Sequence, residues 1–184
     1  MTWIPTFSGV DFNYADVGSN QIRIEDIAHA LSNICRFGGH TKHFYSVAEH
    51  SIYVSRYCPP EMKLIGLLHD ATEAYVWDMI KPLKSMDIMK GYRKLENDIW
   101  QAISNRYDLP HLIPNEVEVV DQRLLETERL QVYPHVPHRW STETGKKPYK
   151  ELRIHFYCPK QAEEIFLVLF KQITADLHWH NIEE

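Results

Sequence analysis

Residues 64–84 read LIGLLHDATEAYVWDMIKPLK, and the fold is read outward from this stretch. An apolar run, Leu64, Ile65, Leu67 and Leu68, leads into His69 and Asp70, with Glu73 one turn later and Asp78 beyond it. On a continuous helix over residues 61–75, His69 and Glu73 stand at i and i+4, and Asp70 and Glu73 at i and i+3. The three therefore share a face. An imidazole and two carboxylates on an otherwise core-seeking helix are costly to bury unless a cation compensates them. Two readings follow: a bound divalent metal, or a buried histidine hydrogen-bonded to a neighbouring acid.

Upstream, Ser46 and Glu49 form an S-x-x-E capping box, and Val47, His50, Val54 and Tyr57 follow as one helical stripe, so His50 points inward. Pro59 and Pro60 separate that helix from the next. Ile24, Ile27, Ala28, Leu31 and Ile34 predict a first helix over residues 24–35, stopped by Gly38 and Gly39. Residues 1–22 carry turn chemistry, with one short hairpin around Thr6–Phe12.

Downstream, Val76–Lys84 is expected to be loop, because Pro82 disfavours helix at Lys81. Tyr92, Leu95, Ile99, Ala102 and Ile103 give a fourth helix, closed before Pro110. Asn115 and Glu118 form a second capping box, after which Val117, Asp121, Leu124, Leu125 and Glu128 share a face that turns Asp121 inward. Pro134, Pro137, Gly145 and Pro148 predict a long loop over residues 133–150. Leu152, Ile154 and Phe156 alternate with Arg153, His155 and Tyr157, which predicts a short strand available to the N-terminal segment. Pro159 opens a last helix through Ile165, Phe166, Leu169, Phe170 and Ile173. The fold class expected is mostly α, a helical bundle with a minor β-hairpin, as a single domain over residues 1–184.

Composition narrows the function. With 184 residues and 44% hydrophobic content, the chain has the apolar surface for one substantial core. A net charge of −5 with no basic block argues against stable duplex nucleic-acid binding. Cys35, Cys58 and Cys158 are widely spaced and form no C-x-x-C, which points to a reducing compartment and away from a thiolate metal site. No apolar run approaches the ~20 residues of a membrane span, and no signal-peptide pattern opens the chain. The expectation is a soluble, cytoplasmic protein, in the host cytoplasm if phage-encoded. Nothing resembles a G-x-S-x-G elbow or a phosphate-binding P-loop.

His50, the His69–Asp70 pair and Asp121 are thus inward polar positions on three separate helices. Two imidazoles and two carboxylates suit a borderline transition ion (Zn²⁺, Co²⁺, Mn²⁺, Fe²⁺ or Ni²⁺) better than Ca²⁺, which prefers oxygen alone. The order H…HD…D resembles the signature of HD-domain metal-dependent phosphohydrolases. SVAEHS at 46–51, LLHDATEAYVWDMIKPLK at 67–84 and DQRLLETER at 121–129 are similar to the small deoxynucleotide hydrolases among them, phage dATP triphosphohydrolases and bacterial 5′-deoxynucleotidases. The resemblance covers a motif core of about residues 22–130, leaving the loop, strand and helix of 131–184 outside it.

The resemblance implies that His50, His69, Asp70 and Asp121 hold the tight metal. It makes Glu73 and Asp78 the catalytic acids that orient or deprotonate water or recruit a weaker Mg²⁺. Arg36, Phe37, Pro82 and Lys84 become substrate-binding residues, Phe37 standing where relatives often have tryptophan. Glu118 stands where relatives often have a phosphate-binding lysine; its capping-box role is a structural alternative. His40 and His43 either bind phosphate or decorate a surface loop. The function implied is hydrolysis of dATP to deoxyadenosine and triphosphate. Its alternatives are a 5′-deoxynucleotidase on deoxynucleoside monophosphates and, in another class, a non-catalytic nucleotide sensor. The partners implied are a deoxynucleotide substrate and a second copy of the chain, as a homo-oligomer, with no membrane.

Overall fold

The computed structural model of the protein describes residues 2–136 and 144–180. A two-stranded hairpin, β1 (Trp3–Pro5) and β2 (Asp11–Asn13), precedes the helices α1 (Ile24–Asn33), α2 (Val47–Tyr57), α3 (Lys63–Leu68), α4 (Glu73–Val76), α5 (Lys81–Lys84), α6 (Lys90–Tyr107), α7 (Asn115–Gln131) and α8 (Pro159–His180). The protein is mostly α with a minor antiparallel hairpin, as the periodicity predicts.

Helix α2 is the centre of the packing: α1, α3, α7 and α8 all lie against it, and every residue from Val47 to Ser55 is buried. Its start follows from Ser46, whose hydroxyl accepts the Glu49 N–H at 3.1 Å. The reciprocal half of the expected box does not form. The Glu49 carboxylate, fully buried, instead accepts the backbone N–H groups of His155, Phe156 and Tyr157 at 2.9, 3.0 and 2.8 Å and the Tyr53 hydroxyl at 2.8 Å.

That capture explains why residues 152–157 are not the expected strand. Leu152 and Ile154 are buried, which produces the alternation in sequence. The N–H groups that a ladder would use go to Glu49, and Phe156 adopts a left-handed φ of 56°. The hairpin partners are β1 and β2 themselves, in the register Ile4↔Phe12. Phe12 plugs the core against the Tyr75 ring at 4.2 Å, and Asp26 of α1 fastens the hairpin turn by accepting the Ser8 N–H at 2.6 Å and the Ser8 hydroxyl at 2.8 Å.

Three further boundaries differ from expectation. The helix over 61–75 is two pieces, α3 and α4, joined by a tight turn at residues 69–72. His69 Nδ1 lies 2.8 Å from the Gly66 carbonyl, the acceptor that an α-helix would give to the Asp70 N–H. Ala71 and Glu73 accordingly bond three residues back, to Leu68 and Asp70, as in a 3₁₀ turn. At α7, Pro114 is the cap and Asn115 the first helical residue, with no side-chain cap, so the second capping box is absent. The 76–84 segment is not all loop: it contains the single turn α5, with Pro82 in its first turn, where a missing N–H is tolerated.

Candidate functional site

Three parts of the chain bring the expected ligand set to one point. His50 projects from the buried centre of α2, His69 and Asp70 come from the tight turn after α3, and Asp121 comes from α7. His50 Nε2 lies 3.2 Å from His69 Nε2, 3.4 Å from Asp70 Oδ2 and 3.2 Å from Asp121 Oδ1. His69 Nε2 is 3.3 Å from Asp70 Oδ2. The donor atoms of His50, His69 and Asp121 all lie within 4.8 Å of one another.

The outer nitrogen of each ring decides what its inner nitrogen can do. His50 Nδ1 is 2.7 Å from Glu128 Oε1 and His69 Nδ1 is 2.8 Å from the Gly66 carbonyl. A carboxylate and a carbonyl can only accept, so both rings carry their proton on Nδ1 and turn Nε2 lone pairs toward each other. Two ring nitrogens and two carboxylate oxygens converging at 3.2–3.4 Å repel unless a cation or a shared proton lies among them. Donors ~2.1 Å from a common ion stand roughly 3.0–3.4 Å apart, so the separations fit a transition ion. Where no ion is bound, a second proton on His50 supplies that positive charge. Burial and the Arg36 charge push the His50 imidazole down, but Glu128 and Asp121 outweigh them and raise it to about 9. Burial opposes ionisation of Asp70 and Asp121, yet the imidazoles and Arg36 hold both carboxyls below their ordinary value.

Glu128 and Tyr45 stand behind the ligand cluster, and the sequence assigned neither a role. Glu128 is fully buried. Its Oε1 accepts from Tyr45 at 2.6 Å as well as from His50, and its Oε2 accepts from Arg36 at 3.3 Å. The available signal was spacing: Glu128 lies two turns after Asp121 on the same face of α7. A carboxylate behind a ligating imidazole fixes its tautomer and raises its basicity. Glu128→Gln is therefore expected to weaken transition-metal binding by about tenfold with the fold intact. Calorimetric metal titration checks this, and an unchanged affinity would reduce Glu128 to a structural anchor.

Beside the ligand cluster opens a cavity of about 630 Å³. It brings together the predicted Arg36, Phe37, Asp70, Glu73, Asp78, Pro82, Lys84 and Asp121. Glu73 is 7% exposed, and its Oε2 has no hydrogen-bond partner among the described residues. Burial, reinforced by Asp70 and Asp78, raises its carboxyl well above the usual range against the pull of Arg36 and Lys84. Burial likewise raises Asp78, against the pull of Arg36 and the Phe37 N–H that its carboxylate accepts. Phe37 and Trp77 both hold left-handed φ angles, 57° and 70°. Such strain for bulky residues costs of order 1 kcal/mol each and clusters where function needs a particular geometry.

Three expected substrate residues depart from expectation. Arg36 is buried and held between Asp70 at 3.3 Å and Glu128 at 3.3 Å, so it braces the ligand cluster as well as lining the cavity. Lys84 is ion-paired with Glu96. His43 is not brought to the cavity; its ring lies edge-on to Phe156 at 5.1 Å. His40 takes the cavity position, because the left-handed Gly38 and Gly39 turn the chain there. Lys81, Glu118, Gln122 and Tyr133 also line it.

No family model matches the sequence. The chain is 36% identical over 174 residues to the uncharacterized protein YfdR of Escherichia coli (strain K12), an alignment spanning 95% of this chain and 97% of that protein. It is 38% identical over 125 residues, 63% of each chain, to the uncharacterized protein RCAP_rcc00048 of Rhodobacter capsulatus. With more than a third of positions identical along nearly the full length of both chains, this protein belongs to the family of the Escherichia coli protein YfdR.

Proposed function

We propose that this protein is a metal-dependent phosphohydrolase of deoxynucleotides. The observation that carries the reading is the convergence of polar atoms from His50, His69, Asp70 and Asp121 beside a cavity that is also lined by Glu73, whose Oε2 has no hydrogen-bond partner among the described residues. A divalent ion held by those four residues supplies Lewis acidity, which acidifies water and polarises a phosphoryl group. Glu73 and Asp78 would orient a water in the cavity and take its proton; burial shifts both carboxyls upward, which makes them stronger bases than free carboxylates. Arg36 keeps Asp70 in place and contributes positive charge at the cavity wall. A weaker Mg²⁺ recruited by Glu73 and Asp78 belongs to the same reading.

Cavity charge favours one substrate over the other. Asp70 and Asp121 belong to the ion site, which leaves Glu73, Asp78 and Glu118 on the wall, against the cations Arg36, Lys81 and Lys84. Arg36 and Lys84 are already engaged by acids. A monophosphate brings roughly two negative charges, and each further phosphate adds to the repulsion. The wall thus supports a 5′-deoxynucleotidase, releasing a deoxynucleoside and phosphate, over the dATP triphosphohydrolase that the resemblance implies. A volume of about 630 Å³ leaves room for the larger substrate.

The test is a panel of deoxynucleoside mono- and triphosphates with each transition metal, in which phosphate, pyrophosphate and triphosphate are read separately. Phosphate from monophosphates is expected. Triphosphate released from dATP would restore the other substrate, and tight nucleotide binding without any product would make the protein a sensor. Assembly as a homo-oligomer and a cytoplasmic location complete the proposal. Among the described residues no helix is long and apolar enough to cross a membrane.

A further inference from the structure

A second cavity, of about 530 Å³, lies among the loop before α2, the C-terminal turn of α7 and the segment 148–156. Three cations from separate places in the chain, Lys42, Lys150 and Arg153, line it, and no acidic side chain among the described residues does. In a chain with 25 acidic residues against 20 lysines and arginines, that segregation is unlike the mixed surface of a solvated face.

The walls are fixed by hydrogen bonds. The Gln131 side chain donates to the Leu152 carbonyl at 2.9 Å and accepts the Ile154 N–H at 3.1 Å. Thr127 Oγ1 accepts the Tyr149 N–H at 2.8 Å, and the Lys42 N–H donates to the Val132 carbonyl at 2.8 Å. Phe156 supplies an aromatic face, with Lys42 Nζ 5.5 Å from its ring centre. At 3.6 residues per turn, Thr127, Leu130 and Gln131 lie roughly half a turn round α7 from Glu118, Gln122 and Leu125, so the two cavities occupy opposite sides of that helix.

We propose that this pocket is a second anion site, binding a phosphate-bearing small molecule through Lys42, Lys150 and Arg153. Lys42, Lys150 and the guanidinium N–H groups of Arg153 beyond the Nη1 that donates to the Lys150 and Leu152 carbonyls provide charge-assisted hydrogen bonds to phosphate oxygens, and Phe156 accepts an apolar or aromatic body beside them. The proposal rests on this pocket alone and holds whether or not the protein is a phosphohydrolase. The competing account is that these cations only offset the carbonyl end of α7, in which case they contribute stability and no binding.

Inorganic triphosphate is the probe, titrated into chelator-stripped protein and followed by backbone amide resonances. Saturable shifts at Thr127, Leu130, Gln131 and Tyr149 are expected in the wild type. The Lys150→Glu/Arg153→Glu variant changes only exposed side chains, so it is expected to fold, and it is expected to weaken that binding by about tenfold or more as two charged hydrogen bonds are lost. Lys42→Ala provides a second, milder variant. Shifts confined to Phe37, Asp78 and Asp121, or an affinity unchanged in both variants, overturn the proposal. So does a fall in melting temperature with no triphosphate binding in the wild type.

Discussion

Replacing Glu73 by glutamine or Asp78 by asparagine is expected to lower turnover by about 10²–10⁴-fold at saturating substrate while the fold and the bound transition ion remain. Neither acid is among the four residues that converge on the ligand point, and both line the adjoining cavity. An amide of the same shape keeps the packing but takes no proton near neutral pH. Glu73→Gln leaves stability near or above that of the parent, because the wild-type carboxyl is buried and its Oε2 has no partner among the described residues. Substrate binding persists in both variants, with less repulsion at the phosphate. Elemental analysis and rate measurements on the same preparations check this. Loss of the ion from either variant would place that acid among the ligands, and near-normal turnover with the ion bound would remove it from the chemistry.

Asp70→Ala is expected to have the largest effect on the metal itself. Asp70 Oδ2 serves three partners, standing 3.4 and 3.3 Å from the two imidazoles and 3.3 Å from Arg36. Its removal subtracts a ligand and leaves the Arg36 guanidinium nearer to the ion site with less counter-charge. A ligand present at a thousand times its dissociation constant stabilises a protein by about 4 kcal/mol, which for a chain of this size raises the melting temperature by roughly 8–16 °C. Wild-type protein is expected to show that rise on addition of the transition ion, and Asp70→Ala to show none. Thermal melts of both proteins with and without metal read the difference; an equal rise in the variant would remove Asp70 from the ligand set.

The long elements and the placing of His50 and Asp121 were legible because each rests on a helical period, whereas His69 and Asp70 sit on the tight turn between α3 and α4. His50 and Asp121 fall on apolar stripes of α2 and α7, so their inward direction needs no tertiary information. What failed depends on side chains satisfying distant backbone. The break between α3 and α4 comes from His69 bonding the Gly66 carbonyl, while the apolar pattern runs through the break unchanged. Residues 152–157 alternate like a strand, but the fate of their N–H groups is decided by Glu49, a hundred residues earlier. Glu128 looked like one acid more on α7 until Tyr45, His50 and Arg36 were seen to meet on it. That His40 lines the cavity and His43 does not turns on two left-handed glycines, which sequence marks as a turn without giving its direction.

The measurement that bears most directly on the account is the initial rate of phosphate release from deoxynucleoside monophosphates by chelator-stripped protein, as a transition ion is added back in steps. The account predicts no turnover in the stripped protein and a rate that rises to saturation at one tightly bound ion per chain. A rate that survives stripping unchanged, or that no ion restores to any member of the deoxynucleotide panel, would contradict it.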